Sequence, residues 1–200
     1  MNILFVNACI RGAASRTEKI AQTFLDALLL QYPTALLETV DLNVLRPAPL
    51  FGDTLAEREQ AAAQNNWNHP CFALARQFQR ADLVLIAAPF WEGTFPAALH
   101  TYIEHICVVG LTFRYQKSGA PMGLCSAGRA VFCTTKGGIY STEAMQENDF
   151  AARFLRTNLQ MLGIPLMDII EAEGLDIVGA DVSTIVHEAE QKALALAETI

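Results

Sequence analysis

The run Leu83-Val84-Leu85-Ile86-Ala87-Ala88-Pro89 constrains this chain more than any other segment. It is apolar without alternation, so a strand made from it would be buried on both faces. That is the condition of a parallel sheet with helices on each side. Ile3 to Val6 is a second run of the same kind at the start of the chain. Leu36 to Val40, Ala130 to Thr135 and Leu166 to Ile170 supply three more short strand candidates. Longer amphipathic stretches lie between them. Thr17 to Gln31 brings Ile20, Phe24, Leu25 and Leu28 to one helical face, with Glu18 in the first turn. Further helices are expected over Phe72 to Gln79, from Pro96 to about Val108, and from an Asn148 or Asp149 cap to Leu162. Gly163 and Pro165 stop the last of these. Asp181, Ser183 or Thr184 opens a final helix to about Glu198. From Asp41 to His69 the text is irregular, and we read an excursion holding one short helix near Leu55 to Gln64. Alternation of this kind predicts an α/β fold, an open doubly wound sheet formed by residues 1–200 as one domain.

Composition narrows the functions such a fold can serve. The chain has 200 residues, with 14 Lys plus Arg against 21 Asp plus Glu, for a net charge of −7. An acidic surface argues against nucleic-acid binding, which needs basic groups to displace counterions from phosphate. No apolar run approaches the roughly 20 residues that span a bilayer, so no membrane partner is expected. The segment Met1 to Asn7 does not read as a signal peptide. Five cysteines (Cys9, Cys71, Cys107, Cys125 and Cys133) include no C-x-x-C pair, and no His or Cys spacing suits zinc. The expectation is a cytoplasmic protein with reduced thiols and no metal.

In an open doubly wound sheet, ligands sit beyond the carboxyl ends of the strands, where the winding reverses. Three loops are expected there. After the first strand, Cys9 to Glu18 brings Arg11, Ser15, Arg16 and Thr17 to a helix N-terminus, where free N–H groups and the helix dipole favour an anion. It is neither a G-x-G-x-x-G fingerprint nor a P-loop, and Ser15 or Thr17 would serve equally as an ordinary N-cap. After the third strand, Phe90-Trp91-Glu92-Gly93-Thr94-Phe95 offers aromatic faces and a glycine, the makings of a wall against a flat ring. After the fourth, Thr135-Lys136-Gly137-Gly138 lets the main chain approach a ligand closely, with Lys136 adding positive charge. Arg11, Arg16 and Lys136 together make a local anion site that the net charge conceals. An anion cradle, an aromatic wall and a Gly-rich edge fit a phosphorylated, flat, polar heterocycle such as FMN.

Four segments carry a family resemblance: Ala88-Pro89-Phe90-Trp91, Leu99-x-x-Tyr102-Ile103-Glu104, Gly110-Leu111-Thr112-Phe113-Arg114-Tyr115 and Thr134-Thr135-Lys136-Gly137-Gly138. The chain resembles the FMN-dependent NAD(P)H azoreductase and quinone reductase family, from about Asn2 to Ala197. The resemblance implies a three-layer flavodoxin-like fold with a five-stranded parallel sheet in the order 2-1-3-4-5. It implies FMN as cofactor, and NADH or NADPH as donor of two electrons, by a ping-pong scheme, to quinones, azo compounds or nitroaromatics. It implies a homodimer with FMN sites at its interface. By position, Ser15, Arg16 and Thr17 match the family's phosphate-binding S-x-S, and Phe90, Trp91, Glu92 and Gly93 its isoalloxazine loop. Thr135, Lys136, Gly137 and Gly138 match the loop along the flavin's N1–O2 edge. Tyr115 and Met161 align with positions that overhang the partner's flavin and shape the substrate pocket. Three positions depart from the family pattern. Cys9 stands where a serine is usual, Glu92 where an aromatic–Asn pair is usual, and Met161 where an aromatic is usual. The chemistry is expected to reside on FMN rather than on an acid–base dyad. Two other classes share the expected fold: a flavodoxin-type electron carrier with no nicotinamide site, and a non-catalytic regulator keeping the fold without flavin.

Overall fold

The computed structural model describes all 200 residues, the side chain of Ala13 excepted. The elements run β1 (Asn2–Asn7), α1 (Arg16–Gln31), β2 (Leu36–Asp41), α2 (Leu42–Leu45), α3 (Gly52–Ala63), α4 (Ala73–Arg80) and β3 (Leu83–Ala87). They continue with α5 (Ala97–Ile106), β4 (Phe113–Tyr115), β5 (Pro121–Gly123), β6 (Arg129–Thr135), α6 (Phe150–Leu162), β7 (Leu166–Ala172) and α7 (Val182–Ala197). Five strands form one parallel sheet in the order β2-β1-β3-β6-β7, with β4 and β5 set apart as an antiparallel hairpin. Counting sheet strands alone, this is the expected order 2-1-3-4-5.

The unbroken apolar runs are explained by two cores, one on each face of the sheet. Leu4, Val6, Val84, Ile86, Ala130 and Phe132 point to the face covered by α4, α5 and α6, where Phe78, Leu99, Tyr102 and Leu155 meet them. Ile3, Phe5, Leu83, Leu85, Val131 and Cys133 point to the other face, against Ile20, Phe24 and Leu28 of α1 and Ala189 and Ala193 of α7. A Leu, Ile or Phe buried this way contributes roughly 1.5–3 kcal/mol relative to exposure, so neither face tolerates a polar residue at these positions. A smaller cluster of Ala61, Phe72, Ala75, Val108 and Leu111 anchors the excursion. Arg58 of α3 also reaches across to donate to the carbonyls of Glu104 and Cys107 at the end of α5.

The structure departs from the sequence reading at several points. The excursion holds two helices rather than one, because Asp41 caps α2 by accepting from the Asn43 N–H at 2.8 Å. Pro96 is the N-cap of α5 rather than a first-turn residue, and Cys107 turns extended, ending α5 before Val108. Among the proposed caps, Asp149 serves α6 and Asp181 serves α7. The β4–β5 hairpin was not expected.

That hairpin docks on α6 by backbone contact. A Cβ at Gly123 would lie 2.0 Å from the amide nitrogen of Gly163 and 2.1 Å from its Cα. Gly163 itself ends α6 at φ +96°. Gly119, at the hairpin tip with φ +82°, has open space around it. Gly123→Ala is therefore expected to destabilise the protein by about 3 kcal/mol, because backbone must move to admit the methyl. Gly119→Ala should cost only about 1 kcal/mol from left-handed strain. Urea denaturation of both variants checks the ranking, and equal losses would contradict the docking contact.

Candidate functional site

The winding reverses between β1 and β3, and a cleft opens there beyond the strand ends. Ala8 N–H donates to the Ala87 carbonyl at 2.8 Å and Ala88 N–H to that of Cys133 at 3.0 Å, so the three loops leave the sheet side by side. The cleft is lined by Arg11, Ser15, Arg16 and Thr17 from the first loop, Pro89, Phe90 and Trp91 from the second, and Thr135, Lys136 and Gly137 from the third. Of the residues expected from sequence, nine of the twelve flavin positions thus line it. Glu92, Gly93 and Gly138 do not line it themselves. Glu92 and Gly93 are the central residues of a tight turn, at φ +50° and +78°, closed by Trp91 N–H to Thr94 carbonyl at 2.9 Å and its reciprocal at 2.7 Å.

The first loop is built for an anion. Ser15 is the N-cap of α1 and its Oγ accepts from the Glu18 N–H at 3.2 Å, which leaves its own hydroxyl proton free to donate. The first turn of any helix has N–H groups without intrahelical partners. Arg11 and Arg16 are exposed and, among the described residues, neither forms an ion pair. Thr17 Oγ1 and Thr135 Oγ1 lie 2.6 Å apart and tie the first loop to the third. That bond uses one of the two hydroxyl protons and leaves the other for a ligand. Cys9, where a serine is usual, is buried, and burial pushes its thiol up to about 12, so it remains neutral behind the cradle.

Lys136 is not the free cation expected from sequence. Its side chain is 2% exposed, and its Nζ donates to Asp149 at 2.9 Å, Glu171 at 2.7 Å and Glu173 at 3.0 Å. Burial alone would lower its pKa, but these three hydrogen bonds and the Glu171 charge outweigh it and hold the ammonium above its ordinary value. Its charge is thus committed within the protein, and the local sum is negative rather than positive. The cluster has a positional effect instead. Glu173 also accepts from the backbone N–H groups of Tyr140 at 3.1 Å and Ser141 at 3.2 Å. Asp149 caps α6, and the Lys136 Nζ stands 5.8 Å from the ring centroids of both Phe90 and Tyr140. One ammonium therefore fixes the second loop, the third loop, the start of α6 and the end of β7.

Sequence reasoning placed Asp149 only as a helix cap and missed Glu171, Glu173 and the cleft-lining Leu175 and Asp176. The signal was present in the pair Glu171 and Glu173, two residues apart at the end of the strand beside Lys136, with Thr135 in register with Ala172. A Cβ at Gly137 would lie 2.3 Å from Asp176 Oδ2, so any larger residue there would displace that carboxylate. Tyr115 is largely exposed on the hairpin, and Met161 on α6 packs half-buried against a core cluster. Neither lines the cleft of its own chain.

Comparisons with known proteins agree with this arrangement. The profile of a family described as having a flavodoxin-like fold matches residues 1–197. FMN-dependent NADH:quinone oxidoreductase 2 of Clostridium acetobutylicum is 36% identical over 192 residues, covering 96% of this chain and 95% of that protein. The chain belongs to this flavodoxin-like family. FMN-dependent NADH:quinone oxidoreductase of Delftia acidovorans, another relative, is 35% identical across 88% of this chain and 84% of its own. Among solved structures, an azoreductase from Bacillus anthracis superposes with a TM-score of 0.90 at 24% identity over the full length of both chains. An FMN-dependent NADH-azoreductase from the same species, in complex with FMN, gives 0.85 at 19% identity over 99% and 98% of the two chains. The flavodoxin-like family explains the sheet order and the position of the cleft. Lys136 and its three carboxylates are read from this chain itself.

Replacing Lys136 by Met should destabilise the protein by about 3 kcal/mol, because three carboxylates lose their shared counter-ion. The deficit should shrink as the pH falls. Burial opposes ionisation of Glu173, but hydrogen bonds from Ser141 and Lys136 hold its pKa below the usual value. Its stabilisation is therefore present above the unfolded pKa and lost as the pH falls through the folded one. The variant, in turn, is relieved of repulsion as its carboxylates protonate. Thermal unfolding of both proteins at pH 7 and near pH 4 tests this, and a pH-independent deficit would contradict it.

Proposed function

We propose that this chain is an FMN-dependent oxidoreductase that passes two electrons from NADH or NADPH to quinones, azo compounds or nitroaromatics, working as a cytoplasmic homodimer. The observation that carries the reading is the polarity of the cleft. At one end stand a helix N-terminus, a free serine hydroxyl and two arginines without ion-pair partners. At the other stand Phe90, Trp91 and the bare main chain of Gly137. That is the complement of a molecule with a phosphate at one end and a flat polar ring at the other, so the residues present fit FMN. The names of the relatives, FMN-dependent NADH:quinone oxidoreductases, support the same reading.

In this reading Arg11, Ser15, Arg16 and Thr17 hold the phosphate, through charge-assisted hydrogen bonds and the α1 dipole. Phe90 and Trp91 flank the ring system, and the Glu92–Gly93 turn fixes where Trp91 stands. Thr135, Lys136, Gly137 and Gly138 border the ring's polar edge, with the backbone of Lys136 rather than its ammonium turned to use. FMN, when bound, supplies the hydride and electron-transfer chemistry. The protein contributes binding, orientation and exclusion of water.

In this reading Tyr115 and Met161 overhang the partner's cleft, and their absence from the lining of their own supports that placement. The exposed apolar side chains of Val109 and Tyr115 support a second copy of the chain as the covering surface. Five free cysteines fit a reducing compartment, and among the described residues no helix is long and apolar enough to cross a membrane.

The purified protein should show a flavin absorption band that bleaches anaerobically with NADH and returns on adding a quinone. Initial rates at several fixed quinone concentrations should give parallel double-reciprocal lines, as expected when donor and acceptor use one cleft in turn. A band that NADH leaves unchanged would instead favour an electron carrier.

A further inference from the structure

Outside the cleft, Glu57, His69 and Cys71 form a chain of polar groups that the proposed function does not use. Glu57 lies on α3, and His69 and Cys71 lie at the 3₁₀ turn Pro70–Phe72 that precedes α4. His69 Nδ1 is 3.1 Å from Cys71 Sγ and also accepts the Cys71 N–H at 3.4 Å. With a backbone donor on Nδ1, the neutral ring carries its hydrogen on Nε2. That nitrogen faces Glu57 Oε1 at 3.6 Å. Thiol, imidazole and carboxylate thus stand in the order of a nucleophile, its base and the group that orients the base.

Cys71 also opens on a space of its own. It lines an open cavity of about 350 Å³ together with Leu45, Pro47, Leu50, Leu74 and His105. The lining is largely apolar, with no carboxylate or arginine in it. It suits a small uncharged molecule. The other four cysteines are less well placed. Cys9 and Cys133 are buried, and burial pushes the thiols of Cys107 and Cys125 up to about 11 and about 12. Burial raises Cys71 as well, and the charge of Glu57 adds to this, while Arg58 from α3 and Arg76 from α4 oppose it. The resting sulfur is therefore a thiol, and His69 acts by taking its proton during attack.

We propose that Cys71 is a second reactive centre, with His69 as general base and Glu57 as the orienting carboxylate, which adds covalently to small uncharged α,β-unsaturated carbonyl compounds, quinones included. The Cys71 proton passes to His69 Nδ1 as the sulfur bonds to the β-carbon. The C=C electron pair moves onto the carbonyl as an enolate, which takes a proton back from the imidazolium. All atoms of thiol and ligand are kept in the thioether product, and no oxidant or reductant is consumed. Glu57 stabilises the imidazolium while it lasts.

This goes beyond the flavin reading and does not rest on it, since the measurement is the mass of the protein and not its turnover. The purified full-length protein is treated with N-ethylmaleimide at pH 7, quenched at intervals, and analysed by intact mass and peptide mapping. The first adduct should map to Cys71 and form faster than that of free N-acetylcysteine, whereas an unassisted thiol with a burial-raised pKa would react more slowly. His69→Asn keeps a side-chain acceptor for the Cys71 N–H but removes the base, and should slow labelling about 100-fold. First labelling at another cysteine, or an unchanged rate in that variant, would overturn the proposal. If circular dichroism shows His69→Asn unfolded, Glu57→Gln decides. It should slow labelling severalfold, and an unchanged rate there would equally overturn the proposal.

Discussion

One buried ammonium holds together the segments that shape the cleft. Lys136 leaves the end of β6 and reaches carboxylates on the α6 cap, on β7 and on the loop after β7. Without that charge the three carboxylates would repel one another beside a sheet whose interior is otherwise apolar. With it, they become anchors for the backbone of Tyr140 and Ser141, for the first turn of α6 and, across the ring faces, for Phe90. Backbone bonds such as Phe90 N–H to the Thr135 carbonyl at 3.0 Å and Asp176 N–H to that of Gly137 at 3.0 Å join neighbouring loops, and the ammonium adds a side-chain tie between β7 and the start of α6.

The rest of the cleft follows from how the sheet is wound. Both faces of β1 and β3 are covered, so the polar residues of those segments are forced to the strand ends. At the reversal between β1 and β3 no crossover helix blocks the space above. The first loop then supplies charge and hydrogen-bond donors, and the second and third supply ring faces and bare backbone. Thr17 and Thr135 join the two sides through one hydroxyl contact. The cleft is thereby asymmetric, basic toward α1 and neutral to acidic toward Lys136 and Asp176.

The sheet was legible in the sequence because strands buried on both faces leave unbroken apolar runs at Ile3–Val6 and Leu83–Ala88. Each of the long helices α1, α6 and α7 carried a recognisable cap. The hairpin was not legible, since three-residue strands such as Phe113–Tyr115 are too short to show alternation. Nor was α2, a single turn held by Asp41. The cleft residues on the first and third loops were found from residue type at strand ends. The role of Lys136 was misread because its partners lie 13, 35 and 37 residues away in the chain. Lysine at a strand end reads as solvated charge until tertiary contacts supply carboxylates. Cys71 and His69, two residues apart, were passed over because their spacing suits no metal site and the carboxylate that completes the trio comes from a separate helix.

The central claim is that the basic, hydroxyl-bearing end of the cleft exists to hold a phosphate while the aromatic end holds the ring. Titration of the apoprotein with FMN and with riboflavin, followed by quenching of flavin fluorescence, separates the two contributions directly. The two ligands share the ring system and differ in the phosphate. Two charge-assisted hydrogen bonds at about 1.5 kcal/mol each predict that FMN binds at least about 100-fold more tightly. Equal dissociation constants for the two would contradict the account.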